Sequence, residues 1–270
     1  MARRTHLVVT CRKIGARLLH TQCIGFVLIG LLLVLWEVSA RFWVASPNWP
    51  PVSHVLKALF LGLYAGELGT VALSSLVRMS CGFVIGALLG VIVGLLMARS
   101  RYIRALLNPS IELLRPIPIP AIVPPLILIL GIDNAMKVSV IAFSSFFPIL
   151  INTIQGATTV ERTLLAMART FRISKWTTLS KIVLPAALPY IFAGLRISLS
   201  LAFIVTIVAE MIAGSQGLGY YLVSMQFAMR LSDMYAGVLL LAIAGFTLNE
   251  LFIRIERSTL VWHDRSGKKQ

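Results

Sequence analysis

The sequence predicts an all-α membrane protein with about six transmembrane helices, on the evidence of its composition, its apolar stretches and the placement of its basic residues. Of its 270 residues, 58% are hydrophobic and 13% are charged, whereas about 25% of a soluble domain is charged. The mean hydropathy is +0.88. One globule of this size cannot bury so much apolar surface, which excludes a water-soluble enzyme and a disordered chain.

Six apolar stretches are long enough to cross a bilayer as helices. A hydrocarbon core about 30 Å thick requires roughly 20 apolar residues in helical conformation. The stretches cover about residues 23–40, 79–98, 110–130, 137–156, 190–212 and 235–253.

The basic residues predict the orientation of these spans. The chain has 25 Lys and Arg against 10 Asp and Glu, a net charge of +15. With the N-terminus inside, 19 of the 25 fall in inner segments and four in outer ones. By the positive-inside rule both termini are expected in the cytoplasm, and the charge then needs no nucleic acid partner.

This orientation divides the chain into segments. We expect a cytoplasmic segment at 1–22, a first transmembrane helix at 23–43, a periplasmic connection at 44–67 and a cytoplasmic tail at 255–270. The acidic Glu37 stands where the cleavage region of a signal peptide is neutral, which argues against removal of the first span.

In the second span, glycines repeat at every fourth residue. They are Gly82, Gly86, Gly90 and Gly94. On a helix they form one stripe, where the missing side chains let another helix approach closely. The stripe predicts tight helix packing and indicates no chemistry.

The third span is rich in proline, with five prolines between Pro116 and Pro125. Proline removes an amide donor and clashes with the preceding turn, so a regular helix is excluded here. Two interpretations stay open: a broken segment that lines a pathway, or a re-entrant or interfacial elbow stabilised by Arg115.

Glu210 ends a run of uncharged residues in the fifth span. Membrane carboxylates mark pathways or pair with another helix, but its position favours the outer interface. No chain of Asp, Glu and His crosses the spans, which disfavours ion-driven transport, and the scattered His and Cys predict no metal site.

The inner loop at 157–189 is polar and helix-friendly, with Phe171 and Trp176 as candidate apolar contacts. It predicts a helical hairpin that offers a docking surface to a cytoplasmic partner. The alternative is a helix that rests on lipid headgroups, anchored by Lys175, Trp176 and Lys181.

The same loop carries a spaced motif. Three residues separate Ala166-Met167-Ala168 from Arg172, and nine residues separate Arg172 from Ile182-Val183-Leu184-Pro185. Ala209-Glu210-Met211 and Gly217-Leu218-Gly219-Tyr220 follow. In these motifs the chain resembles the inner-membrane permease subunit of bacterial ATP-binding cassette importers, in the nitrate, sulfonate and taurine branch.

The resemblance covers about residues 68–254 and implies a type I importer permease core of the MetI-like kind. It implies that the loop couples the permease to an ATPase. The implied coupling residues are Ala166, Met167, Ala168, Arg169, Phe171, Arg172, Ser174, Trp176, Ile182, Leu184 and Pro185. The candidates for the pathway or for helix packing are Gly82, Gly86, Gly90, Gly94, Arg115, Pro116, Pro118 and Glu210.

Two positions depart from the family motif. Ala166 stands where the family has glutamate, and Arg172 where it has glycine. That glycine lies in a turn where positive φ is plausible, and a non-glycine residue there costs on the order of 1 kcal/mol. Either the turn is built differently in this chain, or Arg172 makes a new contact with the partner.

The resemblance further implies partners. These are a cytoplasmic ATPase dimer, a second permease chain of the same or a different kind, an extracytoplasmic solute-binding protein and the lipid of the bacterial inner membrane. The chain has no phosphate-binding loop, so we expect it to bind no cofactor, to be no enzyme and to leave ATP to the partner. The substrate expected is a small solute such as nitrate, a sulfonate or taurine.

The alternative function is a secondary transporter driven by an ion gradient. Such a protein should show internal hydropathy symmetry and carboxylates at the middle of the membrane. Neither feature is evident in the sequence.

Overall fold

The computed structural model describes residues 25, 27–44 and 46–260, without the side chain of Arg162, and within these ranges every regular element is helical. Helix α1 occupies 27–38 and continues as a π-helical turn, Ser39–Trp43. The remaining helices are α2 (Val52–Tyr64), α3 (Glu67–Arg99), α4 (Arg101–Leu114), α5 (Ile119–Leu130), α6 (Asn134–Thr158), α7 (Arg162–Thr170), α8 (Lys175–Thr178), α9 (Leu184–Ala213), α10 (Leu218–Phe227) and α11 (Leu231–Thr259).

Four helices are long and apolar enough to cross a membrane: α3, α6, the continuous helix Lys175–Ala213 and α11. The pair α4 and α5 qualifies as a fifth span if both helices are counted together. The predicted all-α membrane fold is therefore confirmed. Part of the first predicted span, 23–43, lies outside the described residues, and its described part is helical and mostly exposed.

The glycine stripe of α3 packs directly against α6. A Cβ atom on Gly82 would lie 2.6 Å from the Cβ of Ile141, and one on Gly94 would lie 2.7 Å from the Cβ of Thr153. Real Cβ atoms do not approach so closely, so the two backbones can touch only because side chains are missing. Residue numbers rise together along both helices, so α3 and α6 run parallel.

The parallel pairing of α3 and α6 determines whether the third predicted span crosses the membrane. As the proline run predicts, no single helix covers 110–130: α4 ends at Leu114, α5 begins at Ile119 and the two are bent by 100°. The break falls at the predicted prolines, where amide donors are missing. Since α3 and α6 point the same way, the chain between them must return across the membrane. The pair is a broken span and not a re-entrant loop.

Helix α9 completes the core and runs antiparallel to α6. Gly156 packs on Tyr190, and Gly194 packs on Asn152. The hydroxyl of Ser198 donates to the carbonyl oxygen of Ser145 at 2.8 Å. Buried apolar side chains of α3, α5, α6 and α9 form one cluster around these contacts.

Helix α11 lies outside this core, against α9 and α10. Phe252 packs on Phe192 with ring centroids 6.1 Å apart, and Phe203 lies beside Gly245. At its start, Tyr235 packs on Trp36 of α1, at 5.8 Å between centroids.

These pairings define two ends of the molecule. Face A contains the end of α1, the starts of α3, α6 and α11, the end of α9, and helices α2 and α10. Face B contains the end of α3, the start of α4, the end of α6, the helices α7 and α8, the start of α9 and the end of α11.

Candidate functional site

The coupling loop predicted at 157–189 forms a hairpin on face B, in which α7 is joined to α8 by a tight turn. Ile173 N–H donates to Ala168 O at 2.9 Å and Arg172 N–H donates to Arg169 O at 3.0 Å. This is the Schellman pattern that closes a helix with one left-handed residue. Arg172 is that residue, with φ of 52°.

The structure therefore answers one question that the motif raises. The left-handed turn is retained although arginine replaces the family's glycine. A non-glycine residue in this conformation costs on the order of 1 kcal/mol. The Arg172 side chain is exposed, so the charge points away from the folded hairpin.

Ser174 starts the next helix. Its hydroxyl oxygen accepts from Thr177 N–H at 3.1 Å, a typical N-cap bond. From Lys175 the helix is continuous to Ala213 and includes a π-helical turn, Leu179–Val183. The predicted residues Ile182, Leu184 and Pro185 lie in this turn and directly after it, where Pro185 leaves an amide position without a donor.

Most predicted coupling residues are exposed on this hairpin, and Ala168 is buried beneath it. Two large aromatic side chains are conspicuous: Phe171 is 72% exposed and Trp176 is 75% exposed. Exposed cations accompany them. We call the set Ala166, Met167, Arg169, Phe171, Arg172, Ser174 and Trp176 the hairpin surface. Exposed apolar groups of this size on a folded protein mark interaction sites.

Glu210 lies elsewhere, near face A, and the expectation that it sits at the outer interface is wrong. Its side chain is fully buried and forms an ion pair with Arg78 of α3. The hydroxyl of Ser75 donates to its carboxylate at 2.8 Å, and Gly219 N–H donates to it at 3.0 Å. Three donors, of which Arg78 also carries the opposite charge, compensate for the burial of this carboxylate.

The loop after α9 folds around the carboxylate. Leu218 N–H donates to Ser75 Oγ at 2.8 Å, and Arg78 donates to Gln216 O at 3.3 Å. Gly217 has φ of 114°, and a Cβ there would overlap the Glu210 carboxylate. Gly217 is therefore required by its close approach to a buried charge.

The sequence did not reveal the partners of Glu210, since Arg78 is 132 residues away. The signal available was that Arg78 also interrupts an apolar span. A second buried cation, Lys137 of α6, is 2% exposed and lies close enough to Arg78 and Glu210 to interact with them electrostatically.

The other predicted residues are not brought together with these two sites. Arg115, Pro116 and Pro118 are exposed at the bend between α4 and α5. The four glycines of α3 are used in packing against α6. Across the described part of the chain, no three His, Cys, Asp or Glu side chains are grouped as metal ligands.

Comparison with known proteins gives a consistent result. Residues 86–257 match the family model described as "Binding-protein-dependent transport system inner membrane component". The chain is 34% identical over 242 residues to the aliphatic sulfonates transport permease protein SsuC of Bacillus subtilis, covering 89% of this chain and 87% of the relative. It is 31% identical over 242 residues to the taurine transport system permease protein TauC of Escherichia coli, covering 87% and 88%.

A third relative is the bicarbonate transport system permease protein CmpB of Synechococcus elongatus, 34% identical over 186 residues, with 68% of this chain and 67% of the relative covered. Two solved structures share the fold at 18% identity. An amino acid ABC transporter has a TM-score of 0.61, covering 74% of this chain and 97% of the other. The MetNI methionine ABC transporter has a TM-score of 0.60, covering 68% and 92%.

Proposed function

Because the chain belongs to the family of inner membrane components of binding-protein-dependent transport systems, we propose that separate ATPase subunits drive it by docking on the hairpin surface. The chain is a permease of an ATP-driven importer and not an ion-driven secondary transporter, as its relatives are permeases of this kind. It is not itself an enzyme.

The exposure of Phe171 and Trp176 is the observation that carries the docking proposal. Burial of an aromatic side chain is favourable by about 1.5–3 kcal/mol, and aromatic residues dominate the energetics of protein interfaces. Both side chains stand on a hairpin that is closed by the Schellman turn and joined to a membrane-spanning helix. A partner bound there can displace that helix as a rigid body.

The two departures from the family motif define the partner's groove. Ala166 removes a negative charge and Arg172 adds a positive one, so the hairpin surface is more basic than the family pattern. Arg169 and Arg172 are both exposed. A partner groove that is apolar at its centre and acidic at its rim complements this surface.

Face B is proposed to be cytoplasmic, with both termini on that side of the bacterial inner membrane. Its described segments contain most of the basic residues, and the positive-inside rule places such segments in the cytoplasm. The ATPase dimer then meets the hairpin surface directly. Residues 68–254 form the transmembrane domain and 157–189 its coupling loop, whereas 44–67 faces the solute-binding protein on the other side.

Transport requires a second permease chain, of the same or a different kind, because the substrate passes between two such subunits. The proposed cargo is a small solute of the sulfonate, taurine or nitrate class, supported by relatives named for aliphatic sulfonates, taurine and bicarbonate. ATP is bound by the partner, and we propose no cofactor for this chain.

Co-purification tests the docking proposal. The variant Phe171→Ala should weaken association with the co-expressed ATPase by roughly tenfold or more, as expected for the loss of an aromatic anchor. Phe60→Ala is the matched control, because Phe60 is 69% exposed but lies on α2 at face A. Equal association of both variants with the ATPase would contradict docking at this surface.

The substrate class has a separate test. The complex of permease, ATPase and solute-binding protein is reconstituted in vesicles, and ATP hydrolysis is measured with taurine, an alkanesulfonate, nitrate or bicarbonate. Stimulation by taurine, the alkanesulfonate or nitrate supports the assignment. Stimulation only by bicarbonate, or only by solutes outside the sulfonate, taurine and nitrate class, would contradict it.

A further inference from the structure

A cavity of about 800 Å³ opens on face B beneath the hairpin, between the end of α3, the start of α4 and the helices α7 and α8. Its lining has two parts. One part is a set of four exposed cationic side chains, and the other is a set of apolar side chains. The cations are Arg99, Arg101, Arg169 and Lys175.

No carboxylate compensates for these charges among the described residues that line the cavity. Four like charges around one space repel each other, and the repulsion is stronger at the edge of a membrane than in water. Helix α4 also begins at this cavity, with Ser100 and Arg101 in its lining. The positive end of the helix dipole adds to the same field. The cavity is therefore suited to an anion.

The apolar part of the lining excludes a simple ion as the complete ligand. Leu95, Leu96, Leu165 and Leu179 contribute to it. A small hydrated anion would leave this surface in contact with water. A ligand with both a charged and an apolar part satisfies the whole lining.

A path for the apolar part leads from the cavity into the membrane. Leu96 lines the cavity, and Ile92 and Leu88 follow at intervals of four residues, on the same face of α3. All three are exposed on the chain, by 46%, 54% and 59% respectively. Tyr102, 89% exposed, stands at the rim, where aromatic residues mark the headgroup level of a bilayer.

We propose that this cavity binds the phosphate headgroup of an anionic phospholipid, whose acyl chain runs along Leu96, Ile92 and Leu88. Basic pockets between membrane helices bind such headgroups. The lipid would connect the α7–α8 hairpin to the turn between α3 and α4, two elements otherwise separated by the cavity. The proposal requires only that the chain spans a membrane. Because Arg169 belongs both to this lining and to the hairpin surface, lipid binding is tested on the chain without its ATPase.

The chain's own ends do not complement the cavity. Residues 1–24 contain five basic residues and no acidic one, and residues 261–270 contain three basic residues and one acidic one. Both segments would add positive charge to a site that already has an excess. Inorganic phosphate and nucleotides have the right charge but no apolar chain, and they are outcomes of the test.

The test is lipid binding to the full-length chain in detergent, measured by native mass spectrometry. Dioleoylphosphatidylglycerol is compared with dioleoylphosphatidylcholine, which has the same acyl chains but no net charge. The wild type should bind one phosphatidylglycerol at least about tenfold more tightly, since each nearby Lys or Arg contributes roughly a factor of five. The variant Arg99→Gln/Arg101→Gln should lose most of this preference.

Two control variants make the outcome decisive. Arg257→Gln removes one charge on the same face, at the end of α11 and outside the lining, and should keep the preference. Arg99→Lys keeps the charge and should also retain it, which separates electrostatic loss from misfolding. Equal binding of both lipids, an unchanged preference in the double variant, or displacement of the lipid by millimolar inorganic phosphate or ATP would overturn the proposal.

Discussion

Arg78 of α3 and Glu210 of α9 form an ion pair whose two side chains are almost completely excluded from solvent, at 7% and 0% exposure. The pair connects α3 to α9 near face A. Its buried polar neighbours are Lys137 of α6 and the hydroxyl of Ser75, and the apolar core cluster that contains Met79 and Val205 lies next along the same two helices. Such a pair matters for the stability of the fold mainly because loss of one partner leaves the other charge buried without compensation.

The first prediction concerns this pair. Glu210→Met should lower the free energy of unfolding by about 3–5 kcal/mol, because it leaves the buried cations Arg78 and Lys137 without a counter-charge. Arg78→Met should cost less, because Lys137 remains as a cation near the buried carboxylate. The double variant Arg78→Met/Glu210→Met should cost clearly less than the sum of the two. Thermal unfolding of the purified protein measures all three. Additive losses would show that the two charges do not depend on each other.

The second prediction concerns the contact between α3 and α6. In Gly86→Ala the new Cβ would lie 2.6 Å from the backbone oxygen of Ala142, so the helices must separate, at a cost of about 1–3 kcal/mol. Gly69→Ala, on the same helix, adds its Cβ in open space and should be neutral or stabilising by up to about 1 kcal/mol. Thermal unfolding distinguishes them, and equal stability of both variants would refute tight packing.

The third prediction concerns Arg172. Its φ of 52° is easy for glycine and difficult for a β-branched residue. Arg172→Gly should leave the turn at least as stable as in the wild type, and Arg172→Val should weaken it by about 1–2 kcal/mol relative to glycine. Amide exchange at Ile173, whose N–H donates to Ala168 O across the turn, measures the opening. Faster exchange in the glycine variant would contradict the left-handed turn.

The fourth prediction concerns the broken span. Tyr102 lies in the first turn of α4 and Ile132 lies just after α5, and both are exposed. If this pair crosses the membrane, cysteines at the two positions must react with an impermeant maleimide from opposite sides. The experiment needs a background without Cys11, Cys23 and Cys81. Labelling of both positions from one side would mean that the segment re-enters.

The second, fourth, fifth and sixth spans could be predicted from the sequence because an apolar run of sufficient length has few structural alternatives in a bilayer. The proline run likewise predicted an irregular third span. The sequence left open whether that span crosses or re-enters, since proline removes a hydrogen bond locally but does not fix the direction of the next helix. The parallel contact of Gly82 and Gly94 with α6 supplied that direction.

Contacts between residues that lie far apart in the chain could not be predicted from the sequence. The glycine spacing indicated that some helix approaches α3, but only the structure identifies it as α6. Glu210 was wrongly predicted at the outer membrane–water interface because a charge near the end of a span is equally compatible with contact with water. Its burial depends on Arg78, Ser75 and the loop at Gly217–Gly219, which are separated from it by very different distances along the chain. Chain separation of this kind leaves no periodic signal.

The helix that starts at Lys175 and ends at Ala213 has 39 residues, a length of about 58 Å at 1.5 Å per residue. One of its ends lies beside the hairpin surface and the other contains Glu210. A single rod therefore joins the two sides of the bilayer. Any rotation or shift of the hairpin end of this helix must move the Glu210 end at the same time, so the two faces of the molecule cannot change shape independently.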